Sequence, residues 1–232
     1  MTDLITKLKK DYGVNKVYRW SGYANDKREK KVVNIVEDAA KFAGLSPSFL
    51  YTIAIGEGLG LWVARKYDAV VPYEVRVQDS IDGFSYLGVD HFDADFNRTK
   101  KYLPKNFNIG DEYTATSNIN EHGNTVQSGN FKNLKSGIQG LAATIALRKN
   151  VFLSHCKSLG YIKTDGKPNA DQIAFWIYVY FQGEGRAKKY LESNGGYDYS
   201  KAAPSNMAQI RKLALERVAA WKYVQSKKIF TS

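Results

Sequence analysis

The stretch "YTIAIGEGLGLWVA", residues 51 to 64, carries one carboxylate, Glu57, in a run that is otherwise uncharged and largely apolar. A carboxyl held among Ile53, Ile55, Leu59 and Leu61 keeps its proton more tightly, because burial disfavours the charged form. A carboxyl protonated at neutral pH is a proton donor, which is what general acid catalysis requires. The competing reading is a helix-end glutamate that simply reaches water. Later, "YVYFQGEGRAKKYL", residues 178 to 191, places Tyr178, Tyr180 and Gln182 at the end of a strongly apolar run, just before Gly183 and Gly185. Between the two, "GFSYLGVDHF", residues 83 to 92, brings Gly88, Asp90 and His91 into a turn-rich segment, with Asp82 just ahead of it. For the aspartates the competing reading is turn capping, which "DSIDG" suits well.

The elements that must position these groups follow from periodicity and end signals. Val32, Val33, Ile35, Val36, Ala39, Ala40 and Phe42 recur at helical spacing over 26–43, and Gly44 stops the run. Ser46 as N-cap and Pro47 at the first helical position open a second helix. Gly56 and Gly58 bracket its exit, so Glu57 stands at its last turn. From about 65 to 130 helical periodicity is weak. There "VVPYEVRV" reads as a short strand, "DSIDGFSYLGVDHF" as a hairpin or tight loop pair, and "NINEHGNTVQSGN" as a surface loop. So long an irregular middle is usually functional. Helical order returns over 134–150, with Leu134, Ile138, Leu141, Ala142 and Ile145 on one face. A capping box of Asn169 and Gln172 starts a helix through "IAFWIYVYFQ", apolar nearly all round and therefore central, which Gly183 and Gly185 end. A last amphipathic helix covers about 204–225. The fold class is mainly α (α+β), with residues 1–25 an N-terminal arm and 26–232 one domain closed by a C-terminal helix.

A chain of 232 residues, 44% of them hydrophobic, can bury a sizeable core. Lys and Arg outnumber Asp and Glu by 34 to 23, a net charge of +11. That excess favours a polyanionic partner: nucleic acid, an anionic membrane or a bacterial wall. Nucleic acid is not favoured, because no Walker loop, GxGxxG, zinc-spaced Cys/His set or RNP-like aromatic pattern occurs. The basic run "DKREKKVV" reads as a solvated helix face. No apolar run reaches the length of a membrane span, and "MTDLITKLKKDYG" lacks the features of a signal peptide. Folding in a reducing cytoplasm is the expectation, since the lone Cys156 cannot form an internal disulfide. Cys156 reads as a packed small residue and His122 and His155 as surface imidazoles. Trp20, Trp62, Trp176 and Trp221 suit sugar stacking but are mainly core residues. No metal or cofactor is expected.

The order of the three segments, "AIGEGLG", "GFSYLGVDHF" and "YFQGEGRAKKYL", resembles that of the lysozyme-like superfamily, especially lytic transglycosylases and phage virion-associated lysins. There a buried helix ends in the catalytic Glu, a G-L-M-Q turn shapes the sugar cleft, and a later helix carries Y-N-A-G-x-G or Y-H-Q-G, often with a YL pair. The likeness spans roughly residues 32 to 195, and the tail motif is its most specific part. It implies a lysozyme-like helical domain with a small irregular or β-rich lobe forming a cleft. It also implies a muramidase or lytic transglycosylase acting on peptidoglycan, with Glu57 as the acid. Gly88 and His91 then match the turn, and Tyr178, Tyr180 and Gln182 line the sugar site. The turn reads "GVDH", so Asp90 and His91 stand where the family has Met and Gln.

Cleaving a glycosidic bond needs a proton on the leaving oxygen and stabilisation of an oxocarbenium-like centre. If water attacks, a second carboxylate normally guides it, with Asp79, Asp82 and Asp90 as candidates. If the substrate's own 6-hydroxyl attacks, Glu57 is enough. The resemblance implies a protein made in the bacterial cytoplasm without a signal peptide and carried on a virion, or released to reach the wall. Its partners would be peptidoglycan and other structural proteins of the particle. The alternatives are a lysozyme-like domain that has lost catalysis and serves as a structural or adaptor protein, and, more distantly, a nucleic-acid binder.

Overall fold

The computed structural model describes residues 26–56, 92–119, 125–131, 134–201 and 203–230. These residues are mainly helical, with one two-stranded antiparallel sheet. No helix among them is long and apolar enough to cross a membrane. The N-terminal arm, residues 1–25, lies outside the described residues, as do the strand expected at "VVPYEVRV" and the hairpin expected over 79–91.

Helix α1 (Asp26–Ala43) buries Val36, Ala39, Ala40 and Ala43, one stripe at helical spacing. Phe42, which the periodicity placed with them, falls off that stripe and is 56% exposed. Gly44 ends the helix at φ +64, with Leu45 N–H donating to the Ala40 carbonyl at 2.9 Å and Gly44 N–H to that of Lys41 at 3.4 Å. This is the left-handed glycine stop that the sequence signalled.

Helix α2 (Pro47–Gly56) begins at Pro47 as expected, and the Ser46 carbonyl accepts the first intrahelical bond, from Leu50 at 3.1 Å. The Ser46 hydroxyl pairs with Ser48 Oγ at 2.8 Å. Phe49, Leu50, Tyr51, Ile53 and Ala54 are all buried, so α2 is covered on every side. Trp221 of the C-terminal helix packs edge-on against Phe49, ring centroids 5.5 Å apart, and its Nε1–H donates to Ser48 Oγ at 2.9 Å.

The stretch read as irregular holds more order than its composition suggests. Helix α3 (Phe92–Thr99) runs into a 3-10 turn (Lys100–Tyr102), and a short α4 (Ile109–Glu112) leads into strand β1 (Tyr113–Ile119). Strand β2 (Thr125–Phe131) pairs with β1 in antiparallel register, Tyr113 opposite Phe131 and Ile119 opposite Thr125. The surface loop expected over 118–130 is thus largely strand. Its Asn, Ser and Gly residues have weak β propensity alone, and pairing supplies what propensity does not. The hairpin is rooted by the buried rings of Tyr113 and Phe131, 5.1 Å apart.

Helix α5 (Leu134–Ser158) is the longest of the described elements at 25 residues, continuing well beyond the Asn150 end expected from its pattern. It packs against α1, α3 and the later helix α7. Gly140 on α5 faces the Phe131 ring so closely that a Cβ there would lie 2.6 Å from Cε1. Glycine is required by that approach. After a one-turn α6 (Tyr161–Thr164), helix α7 (Ala170–Phe181) opens with the expected capping box. Gln172 N–H donates to Asn169 Oδ1 at 2.9 Å, and Asn169 N–H to Gln172 Oε1 at 2.8 Å. Every residue from Ala174 to Tyr180 is buried, which makes α7 central as its composition demanded. Helix α8 (Glu184–Asn194) follows, then a 3-10 turn (Ser205–Met207) and α9 (Ala208–Ser226), which packs on α7 and α2.

Candidate functional site

The tail motif folds as a corner between two helices. Phe181 is the last residue of α7, Gln182 is its cap, and Glu184 is the first residue of α8. Gly183 makes the corner at φ +123, a conformation that a side chain rarely tolerates. Its N–H donates to the Tyr180 carbonyl at 3.2 Å, and its own carbonyl accepts from Ala187 at 3.0 Å. Gly183 ends the helix as expected. Gly185 does not, because it lies inside the first turn of α8.

Glu184 sits where a carboxylate is favoured by the exposed N–H groups of a helix start. It accepts from Arg98 Nη2 of α3 at 2.9 Å and from Arg148 Nη1 of α5, so one carboxylate joins three helices. Arg148 is the more buried of the two arginines, its side chain only 13% exposed against 45% for Arg98.

Behind this corner Tyr180 is fully buried, packed against Phe152 with ring centroids 5.8 Å apart. Its hydroxyl lies 2.8 Å from Nδ1 of His155 on α5. Burial, reinforced by the neighbouring Cys156, Glu184 and Glu192, pushes the phenol well above its ordinary pKa, so it keeps its proton. Burial, then the Lys188 ammonium, holds His155 below the usual imidazole range, against the opposing pull of Glu184 and Glu192. The bond engages Nδ1 and leaves Nε2 as the ring nitrogen that Tyr180 does not touch. His155 lines an open cavity of about 320 Å³ together with Arg98, Lys101, Asn150, Ser154 and Glu184.

Comparison with family models, curated proteins and solved structures yields no match. What the site can do therefore rests on its own groups.

Five of the residues singled out from sequence, Glu57, Asp82, Gly88, Asp90 and His91, lie outside the described residues. So do the expected separations between Glu57 and the two aspartates. Glu57 follows Gly56, the last residue of the buried α2, directly in the chain. Tyr178 is buried in α7 with the Arg217 guanidinium 5.7 Å above its ring, and Gln182 is half-buried at the helix cap. Arg186 Nη2 donates to the Gln182 carbonyl at 2.9 Å, which ties the cap to the next helix.

His155 is not the surface imidazole that its polar neighbours suggested, because it is half-buried and engaged by Tyr180. Continuing α5 past Asn150 would have shown it, since Phe152, His155 and Cys156 then share a face. His122 lies outside the described residues. Cys156 is fully buried, as a packed small residue should be, and burial pushes its thiol up to about 12. Trp176 and Trp221 are core residues with satisfied ring N–H groups, Trp176 donating to the Tyr197 carbonyl at 2.9 Å. Trp20 and Trp62 fall outside the described residues. Among the described residues no three His, Cys, Asp or Glu side chains cluster as metal ligands. The cluster of Arg98, Arg148 and Glu184 was missed, because none of the three carries a local signal.

Proposed function

We propose that the chain cleaves the β-1,4 bond between N-acetylmuramic acid and N-acetylglucosamine in peptidoglycan, with Glu57 as the general acid. The observation that carries this reading is the burial of α2 on every side up to Ala54, three residues before Glu57 in the sequence. Apolar surroundings favour the protonated form of a carboxyl. The helix–Gly183–helix corner of the tail motif and the net charge of +11 support the same reading, the charge by holding the protein to an anionic wall.

In the reaction Glu57 gives its proton to the glycosidic oxygen as the bond to the sugar breaks. Its carboxylate then takes the proton of the attacking hydroxyl. If that hydroxyl is the sugar's own, the product is a 1,6-anhydro ring and no second acid is needed. If it is water, Asp82 or Asp90 would guide it. Gly88, His91, Tyr178, Tyr180 and Gln182 are proposed to shape the sugar site, within a lysozyme-like domain whose smaller lobe closes a cleft. The protein would act from a phage or phage-like particle, or after release.

The test is mass spectrometry of muropeptides released from purified wall by the wild type and by Glu57→Gln. Release by the wild type and none by the variant is the expected result. No release by a folded wild type would overturn the reading.

One observation favours a second reading, a lysozyme-like structural or adaptor protein without catalysis. The Tyr180 hydroxyl is fully buried and committed to His155, as a purely architectural tyrosine would be. Under that reading the wild type binds wall or particle partners and releases nothing.

A further inference from the structure

The cavity beside the tail-motif corner is defined by what its walls can donate. Lys101, from the 3-10 turn after α3, carries three N–H donors and no acceptor, and Arg98 one turn earlier carries a guanidinium. Ser154 and Asn150 contribute from α5, where one Nδ2 hydrogen of Asn150 goes to the Ala146 carbonyl at 2.9 Å. His155 closes one side. With Nδ1 engaged by Tyr180 at 2.8 Å, Nε2 is the ring nitrogen that this bond leaves over.

The acceptors are few. Glu184 is the one carboxylate among the described lining residues, and it is already gripped by Arg98 and Arg148. Two cations and one neutralised carboxylate therefore face the space, with the Arg148 guanidinium behind them and the Lys188 ammonium close enough to act on His155. A volume of about 320 Å³ is roughly ten times the share of one liquid water, at about 30 Å³. It reaches the lower end of the range of small-molecule sites.

We propose that this cavity binds an oxyanion, a carboxylate or phosphate carried on a compact polar molecule, held by Arg98 and Lys101 beside the His155 ring. Charged donors meeting anionic oxygens make the stronger class of hydrogen bond, and a guanidinium fits two oxygens at once. Tyr180 acts as a positioning residue, because its hydroxyl holds the imidazole ring beside the cavity.

The probe is the His155 ring signal in carbon–proton NMR, assigned by its loss in His155→Asn. The full chain is titrated separately with inorganic phosphate and with acetate, at constant ionic strength held by chloride. The expected result is a saturable shift with at least one of the two, the responding arm naming the anion. In Arg98→Gln/Lys101→Gln the affinity falls by about tenfold or more. Both positions are exposed, so far-UV circular dichroism should be unchanged, and Lys101→Gln alone keeps the Arg98–Glu184 pair intact. A shift that does not saturate with either anion, or one that saturates as tightly in the double variant as in the wild type, would overturn the proposal. Because the readout is binding at His155, wall cleavage and its dependence on Glu57 stand or fall separately.

Discussion

The Tyr180 hydroxyl and Nδ1 of His155 lie 2.8 Å apart, joining the end of the central helix α7 to the last turns of α5. Twenty-five positions separate them in sequence. The bond gives a buried phenol its partner and holds the imidazole ring in one orientation.

Replacing Tyr180 with Phe removes that partner and leaves Nδ1 facing an apolar ring. The folded state should lose about 1–2 kcal/mol, the cost of a buried hydrogen bond with one side left unmade. Denaturant unfolding reads the loss. A variant as stable as the wild type would mean that the bond contributes nothing.

Glu184→Gln removes the charge that joins α3, α5 and α8. Its partner Arg148 is largely buried, so the variant should lose about 1–2 kcal/mol. Arg98→Gln breaks only the exposed half of the cluster and should cost less than about 0.5 kcal/mol. Equal losses in chemical denaturation would refute this ranking of the two arginines.

The two glycines of the tail motif should respond in opposite directions. Gly183→Ala forces a side chain onto φ +123 and should destabilise by about 1–3 kcal/mol. At Gly185 an added Cβ meets nothing within 4 Å, and the residue lies inside α8. Gly185→Ala should therefore stabilise by about 0.5–1 kcal/mol. Thermal midpoints of the two variants on either side of the wild type are the expected outcome.

Stability should fall away on both sides of neutral pH. His155 has a folded pKa depressed below its unfolded value of about 6.5. Its contribution is present above that value and lost as pH falls through it toward the folded pKa. The Cys156 thiol rises from 9.0 to about 12 on folding, and Tyr180 is also raised. Their contributions are full below the unfolded values and lost as pH climbs above about 9. Thermal melts across this range should give a plateau between about pH 7 and 9, and Cys156→Ala should soften the alkaline decline. A midpoint still rising above pH 10 would contradict this account.

Signals carried by chain neighbours were legible in the sequence. Gly44, the Ser46–Pro47 start, the Asn169–Gln172 box and the all-apolar face of α7 each act within one turn of helix, and each stands where its chemistry placed it. What was missed depends on partners far away. Thr125–Phe131 becomes a strand because Tyr113–Ile119 lies beside it, and Arg98 meets Glu184 across 86 positions. His155 looked solvated from its neighbours, and only the docking of α7 brings the Tyr180 hydroxyl to it. Phe42 fitted the helical period loosely and points away from the stripe that the core selects. The tail motif was readable as a helix stop, but the cavity beside it was not, since its walls come from α3, α5 and α8.

The proposed role of Glu57 is that of proton donor in a peptidoglycan glycosidase. Its most direct test is zymography and muropeptide mass spectrometry on purified wall, run in parallel with thermal melts of the wild type and Glu57→Gln. The amide keeps the volume and removes the proton. Cleavage should be abolished while the midpoint stays nearly unchanged. Retained cleavage in Glu57→Gln, or a large loss of stability that marks Glu57 as a structural partner, would contradict it.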